Sequence, residues 1–330
     1  MVGLACVSPA YAAEERSLSL SASTFNFSAE PGQKGGGEVS VINEGSAPIS
    51  VRVYVADQVI AADGSATFVV PPADANPLTS PATWVTFELP PDAKSTGNIP
   101  FIDMAAGARV PVKFEVTVPE GAAPGDRQAV LFFETFSPQE AAEAGTARIN
   151  ARIGARIETR VNGEIVEKMD VRPFVMPAFV VGSSAGYAFT VRNEGNIDER
   201  VDARLVVLDR SENELSSTAV LTDAPVYASS TLEKEGVLQL PGPAIGPSHV
   251  RLVLSYKSDS GIEKSLEKDR TVWAVPLWLL GVLGLAVLLL LLVGVWAASG
   301  RAAKRRIDRD SAAAETARQP TADVDSEYDE

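Results

Sequence analysis

The residues whose types and spacing most suggest chemistry are four arginines placed four residues apart. Residues 147–162 repeat a tetrapeptide that carries Arg148, Arg152, Arg156 and Arg160. The β-branched residues of this repeat and its internal Gly154 weigh against a helix and favour a strand. In a strand the arginines share one face and stand about 13 Å apart. Guanidinium groups pair bidentately with carboxylate and phosphate, so the row is a candidate site for a polymer that bears such groups. The alternative is a solvent face whose arginines pair with Asp or Glu on a neighbouring strand and protect a sheet edge.

Trp84 is the second candidate binding residue, because it is the one tryptophan outside the C-terminal apolar region. The sequence predicts a strand over Thr83–Leu89, with Val85, Phe87 and Leu89 on one face. Trp84 then lies on the more polar face, where an indole can stack on a sugar ring or anchor a protein contact. Packing of Trp84 against a loop or against a second domain is the alternative interpretation.

The chain offers little for catalysis. It has one cysteine, Cys6, and one histidine, His249. A disulfide framework and multi-histidine metal sites are therefore excluded, and a Ser-His-Asp triad has His249 as its single candidate base. The glycines 35–37 precede a predicted strand and lack the Gly-Lys-Ser/Thr ending of a phosphate-binding loop. We predict no cofactor and no metal.

The net charge of the chain limits the classes of partner that it is expected to bind. The chain holds 29 Lys and Arg against 43 Asp and Glu, a net charge of −14. Bulk attraction to nucleic acid is not expected from such a chain. Hydrophobic residues make up 45% of the sequence, which is not the composition of a disordered protein.

The two ends predict export and membrane anchoring. Residues 1–12 end in Ala10-Tyr11-Ala12, a small-x-small cleavage pattern, and are interpreted as a signal peptide that is truncated at its start. Residues 273–298 are long and apolar enough for one transmembrane helix, with tryptophans at both ends. Arginines and a lysine follow at once, so the positive-inside rule places 299–330 in the cytoplasm as a basic, then acidic and disordered tail. Residues 13–270 then lie outside the plasma membrane.

The outer portion predicts β-structure throughout. Residues 112–118 alternate apolar and polar side chains strictly, and residues 257–261 carry a hairpin signal between two apolar segments. The turn Asn43-Glu44-Gly45 recurs as Asn193-Glu194-Gly195, and an alternating strand follows each copy. The Asn-x-Gly pattern suggests positive φ angles at these turns. The predicted fold class is all-β, with immunoglobulin-like β-sandwiches at 13–162 and 163–270 and one C-terminal transmembrane α-helix.

The order of these features resembles the WxL-interacting protein family of Gram-positive cell-surface proteins. The resemblance runs from about residue 17 to 306 and rests on Pro31-Gly32, the first Asn-Glu-Gly turn, Trp84, Val118-Pro119 and Ala123-Pro124-Gly125 before a hydrophobic strand. It implies a first domain that binds peptidoglycan and a second domain that binds host or partner proteins. No separate WxL domain occurs in this sequence, because Trp278-Leu279-Leu280 has the spelling but lies in the predicted span.

The sequence therefore predicts a single-pass, non-catalytic bacterial surface protein that binds the cell wall, partner surface proteins or both. The wall ligand would be peptidoglycan or an anionic wall polymer, met by the arginine row. Two alternatives stay open. One is a membrane-anchored scaffold for a pilus or a secretion-type assembly. The other is a wall-modifying enzyme that uses acidic residues, since a pair of catalytic carboxylates meets only in space.

Overall fold

A computed structural model describes residues 17–96, 99–136, 151–241 and 246–316 of the chain. The predicted signal segment 1–12 and Arg148 lie outside the described residues. The described chain forms two β-sandwiches in sequence, followed by one long helix. The all-β fold class with a C-terminal helix is therefore confirmed.

The first sandwich packs two sheets face to face. Its described strands are β1 (Leu18–Leu20), β2 (Thr24–Ala29), β3 (Lys34–Asn43), β4 (Ile49–Ile60), β5 (Ala66–Val69), β6 (Val85–Glu88), β7 (Lys94–Thr96), β8 (Ile99–Met104), β9 (Arg109–Thr117), β10 (Gly125–Phe136) and β11 (Arg152–Val161). One sheet has the order β1-β3-β9-β6. The other has the order β2-β11-β10-β4-β8-β7, and β5 pairs with β4.

Alternation of side chains builds the first core. Val112, Phe114 and Val116 of β9 are buried, and Val118 follows them inward, while Lys113 on the opposite face is exposed. The predicted facing of this strand is confirmed. Phe114 also meets Phe25 edge to face, with ring centroids 4.9 Å apart. That contact ties β9 of one sheet to β2 of the other.

The second sandwich is smaller and follows a short connection. Its described strands are β12 (Met169–Val175), β13 (Phe179–Val181), β14 (Ser184–Asn193), β15 (Glu199–Leu208), β16 (Glu214–Val226), β17 (Thr231–Gln239), β18 (Gly246–Lys257) and β19 (Glu263–Val275). One sheet has the order β12-β14-β17 and the other β13-β19-β18-β15-β16. The sequence-based boundary between 162 and 163 lies in the connection from β11 to β12.

Both sandwiches use the same strand plan. In the first, the chain leaves one sheet after β1 and joins the other as β2, parallel to β11. In the second, β12 and β13 make the same switch, and β13 runs parallel to β19. The internal repeat seen in the sequence therefore corresponds to two sandwiches of related topology.

The helix begins later than the sequence predicts. Strand β19 continues to Val275, and Trp273 pairs with Phe179 on one side and Pro247 on the other. The backbone pairing of Trp273 continues the sheet, so Trp273 belongs to the second sandwich. The predicted span 273–298 is therefore wrong at its start. Helix α1 (Leu277–Thr316) follows Pro276. Its first 22 residues, Leu277–Ala298, have a mean hydropathy of 2.8 and are long and apolar enough to cross a bilayer.

Helix α1 also runs further than the sequence predicts. The sequence predicts disorder in the acidic part of the tail, residues 310–330, but the helix continues to Thr316. The alanine-rich composition of this stretch suits a helix. Residues 317–330 lie outside the described part of the chain.

Candidate functional site

Three of the four arginines in the predicted row lie on β11, and the strand interpretation holds for them. Arg152, Arg156 and Arg160 share one face, while Ile157 and Val161 are buried on the other. The row does not protect a sheet edge along its whole length, because β11 lies between β10 and β2. Gly154 sits in the same row, where a side chain would meet Val130 and Phe132 at less than 3 Å.

The described arginines already have partners. The guanidinium of Arg152 lies over the ring of Phe132, 4.7 Å from its centroid. Arg156 pairs with Glu158 at 3.2 Å. Arg160 is held by the Asp126 carboxylate at 2.6 Å and by Asp259 at 2.5 Å. The alternative of arginines paired with carboxylates on a neighbouring strand therefore describes Arg160, whose partner Asp126 lies on β10, whereas Glu158 lies on β11 itself. Binding of a wall polymer by this row stays a prediction.

Trp84 is buried, so the interpretation that placed it on the polar face of a strand is wrong. Residues Pro81–Trp84 form a single 3₁₀ turn before β6, which a proline at its start favours. The Asp57 carboxylate anchors this turn by accepting bonds from the Ser80 hydroxyl and the Ala82 amide. The indole of Trp84 is 3% exposed and donates its N–H to the Pro77 carbonyl at 2.6 Å. Such a side chain presents no face to a sugar ring.

The two sandwiches meet at Asp126, at the start of β10. Its amide donates to the Asn196 carbonyl at 2.8 Å, and its carboxylate accepts from the Asp198 amide at 2.8 Å. Arg160 joins the same carboxylate to Asp259 of the second sandwich. Gly125 is required here, since a Cβ would lie 2.1 Å from the Asn196 carbonyl oxygen.

A second contact point lies at the hairpin between β4 and β5. The Glu233 amide of the second sandwich donates to the Ala62 carbonyl at 3.0 Å. Gly64 at the hairpin tip has a φ of +81°, and a Cβ there would lie 2.4 Å from Leu232. Two separate contact points make the connection between the sandwiches stiffer than a single hinge would.

A cleft of about 360 Å³ opens between the sandwiches. It is lined by residues of both domains: Asn26, Phe27, Asp126, Gln128, Arg156, Glu158, Arg160, Asp198, Glu199, Arg200, Pro225 and Tyr227. Gln128 donates to the Asp198 carboxylate across the cleft. The charged groups are largely satisfied by one another, so the cleft functions first as a polar interface.

Two carboxyl groups of this interface are perturbed. Burial raises the pKa of Asp198 to about 6, although the Ala228 amide donates to it. Burial, together with the charge of Glu167, raises the pKa of Glu199 to about 7. Glu199 is 4% exposed, and its Oε1 has no hydrogen-bond partner. Sequence analysis did not single out either residue, because they follow the Asn193 turn without any motif of their own.

The edge of the larger first sheet is open beside the first half of β11. Strand β2 pairs with Arg156–Val161 and not with the residues before them. The Thr135 amide donates to the Ala151 carbonyl, so odd-numbered residues of β11 bond to β10. Arg152 and Gly154 therefore direct their amides and carbonyls away from β10, where no strand of the described chain pairs with them.

No catalytic group emerges elsewhere among the described residues. His249 lies on β18, with its Nδ1 3.3 Å from the Thr271 hydroxyl. Within the same ranges, no cluster of three or more His, Cys, Asp or Glu side chains is placed to hold a metal ion.

Comparison with known proteins identifies neither a family nor a curated relative for this chain. Among solved structures, the chain is similar to the class 5 fimbriae chaperone CfaA at 10% identity and a TM-score of 0.42, over 78% of this chain and 99% of that one. It is also similar to a chaperone–tip adhesin complex of CFA/I fimbriae at 12% identity, a TM-score of 0.41 and 78% and 98% coverage. The Salmonella enterica SafB chaperone complex with the SafA pilin matches at 17% identity, a TM-score of 0.34 and 79% and 99% coverage. Scores at this level say nothing about partners.

Proposed function

We propose that this chain is a membrane-anchored, non-catalytic binding protein that receives an extended segment of a partner protein as an added strand. The observation that carries the proposal is the open edge of β11 at Arg152 and Gly154. Unpaired amides and carbonyls in a row form a template for one more strand, and main-chain hydrogen bonds supply the affinity.

The apolar groups beside this edge support the same proposal. Leu18 and Leu20 of β1, and Ile153 of β11, pack against the first core but are only partly buried. They lie where the chain crosses from β1 to β2, and β1 is close to β11 at this point. Alternate apolar side chains of an added strand would cover these three residues, while its backbone pairs with Arg152 and Gly154.

Several other sheet edges fit this role less well. Strands β1, β6, β7 and β13 have three or four residues each, and β16 is broken by three register shifts. Strand β17 carries Glu233, Lys234 and Glu235, and charges protect an edge from pairing.

A proline at position 152 tests the proposal. Arg152 is the first residue of β11, where proline is tolerated, and its amide faces the open edge. A partner protein that is cross-linked to the full-length wild-type chain in membranes should no longer be recovered with Arg152→Pro. Arg152→Ala, which keeps the amide, is the matched control and should retain the partner. Equal recovery with both variants would exclude strand addition at this edge.

Orientation belongs to the same proposal, with residues 13–270 outside and 299–330 in the cytoplasm of a Gram-positive-type bacterium. Protease treatment of intact cells should remove epitopes from the two sandwiches and spare an epitope at 317–330. Protection of the sandwiches would contradict this orientation.

Binding of peptidoglycan or an anionic wall polymer, as the resemblance to WxL-interacting proteins implies, stays a prediction. Co-sedimentation of the full-length chain with isolated sacculi checks it, with Arg152 and Arg156 both changed to Glu as the test of the arginine row. If sacculus binding survives this double substitution, the arginine row does not bind the wall. Release of soluble muropeptides would instead favour a wall-modifying enzyme.

A further inference from the structure

Exposed apolar side chains collect at the end of the second sandwich from which helix α1 leaves. Phe179 is 56% exposed, Val181 48%, Val237 64% and Trp273 53%. Phe179 and Trp273 are direct neighbours on the parallel strands β13 and β19, and Val181 pairs with Val275. We call these four residues the apolar belt.

Strand register places the whole belt near the helix. Val181 lies level with Val275, the last residue of β19, and Phe179 and Trp273 lie two residues further back. On the smaller sheet, Val237 pairs with Gly186, two residues from the end of the sheet at Ser184. The belt therefore covers both sheets within about 7 Å of the end of the sandwich.

We infer that the apolar belt rests in the headgroup region of the lipid bilayer and so seats the second sandwich on the membrane surface. This inference rests on the membrane-spanning role proposed for helix α1. The first 22 residues of the helix span about 33 Å, against an apolar bilayer core of about 30 Å. Leu277 therefore lies at the boundary of that core.

The distances fit a lipid contact. The headgroup region extends about 5–7 Å beyond the apolar core on each side. Val275 lies two residues before Leu277, at most about 7 Å away, and Val181 lies level with Val275 on β13. Trp273 lies at most about 13 Å from Leu277. A fully extended β19 along the membrane normal would place Trp273 beyond the headgroup region, and a tilt of about 60° brings it to within about 7 Å of the apolar core. Tryptophan and phenylalanine favour this boundary, where the indole N–H meets water and the ring meets acyl chains.

Charge is distributed unevenly at the two ends of the second sandwich. The turn Gly182-Ser183 and Pro276, which face the helix, are uncharged. The opposite end carries Asp198 and Asp259, which bond to the first sandwich, and Glu167, which accepts from the Asp259 amide. The charged turn Asp209–Asn213 lies at the same end as helix α1, because Leu208 pairs with His249 and Gly246 pairs with Ala274. It stands at the far edge of the larger sheet, beside β16 and away from β13.

Single cysteines carrying an environment-sensitive fluorophore test the inference in the full-length chain, reconstituted in phosphatidylcholine nanodiscs. Cys6→Ser first removes the native thiol. Labels at Val181→Cys and Val237→Cys should lose most of their fluorescence when the lipids are brominated near the headgroup end of their acyl chains. The matched control is Ile262→Cys at the opposite end of the sandwich, because Ile262 is 63% exposed, and its label should be unaffected.

Two further variants separate the possible failures. A label at Leu288→Cys, within the apolar part of α1, should be quenched by lipids brominated deep in the chain. Quenching at 288 but not at 181 and 237 would overturn the seating and leave the membrane span intact, whereas no quenching at 288 would overturn both. Phe179→Ser combined with Trp273→Ser should restore the fluorescence of the label at 237. Unchanged quenching of that label would show that the apolar belt does not keep the second sandwich at the membrane surface.

Discussion

Asn43 and Asn193 have the same role in the two sandwiches, at the end of the third strand of each, β3 and β14. Each is buried, and each uses its side-chain amide to donate to backbone carbonyls. The acceptors are Ala47, Ala105 and, at 3.4 Å, Met104 for Asn43, and Ile197 and Val226 for Asn193. Each carbonyl oxygen also accepts the amide of the glycine two residues on. Neither asparagine nor either glycine has a positive φ, so the turns depend on side-chain hydrogen bonding and not on the backbone freedom that the sequence suggested.

Asn193→Ala should therefore destabilise the second sandwich by about 2–4 kcal/mol, because the buried carbonyls of Ile197 and Val226 lose their donor. Urea unfolding measures the change. Asn213→Ala is the control, because Asn213 is exposed and bonds only within its own turn, to Asp209. A similar loss of stability in both variants would show that the buried amide has no special role.

Glu199 makes the interface between the sandwiches sensitive to pH. Burial raises the pKa of Glu199 to about 7 in the folded chain, from an ordinary value of 4.5. The folded state thus binds the proton more tightly, so this group lowers stability as pH rises from about 4.5 to about 7, and the loss persists above pH 7. Glu199→Gln should raise the melting temperature more at pH 8 than at pH 5. Glu235→Gln on the exposed face of β17 should show no such difference, and a parallel shift at both pH values would contradict the prediction.

Strand β9 illustrates how one element sets the first core. Phe114 is 4% exposed and contacts Phe25 and Phe27, so Phe114→Ala should cost about 3–5 kcal/mol of unfolding free energy. Lys113→Ala, on the exposed face of the same strand, should cost little. Circular dichroism during urea unfolding compares the two, and equal losses would mean that the facing of the strand is misassigned.

Sequence patterns predicted the elements that are determined by residues close together in the sequence. The alternation of Val112 to Val118 fixed the facing of β9, and the tetrapeptide repeat predicted the strand at β11. Trp84 was misplaced because the bonds that set it in a turn come from Asp57, on a distant strand. The open edge of β11 could not be predicted either, since it depends on where β2 joins the sheet. The shifts of Asp198 and Glu199 could not be predicted either, because burial and the charges of residues distant in the sequence raise their pKa values.

At the scale of the whole molecule, Asp126 joins the two sandwiches through Arg160 and the Asp198 amide. Its removal should free Arg160 from one carboxylate and leave the Asp198 amide without an acceptor, and so weaken the contact between domains while each core stays intact. Asp126→Ala should speed proteolysis of the connection 162–168 severalfold and separate the unfolding of the two sandwiches into two transitions. Asp103→Ala breaks an exposed ion pair with Lys94 in the first sandwich and should leave both unchanged. If Asp126→Ala behaves as Asp103→Ala does, the hairpin contact at Ala62 and Leu232 is sufficient to hold the two sandwiches together.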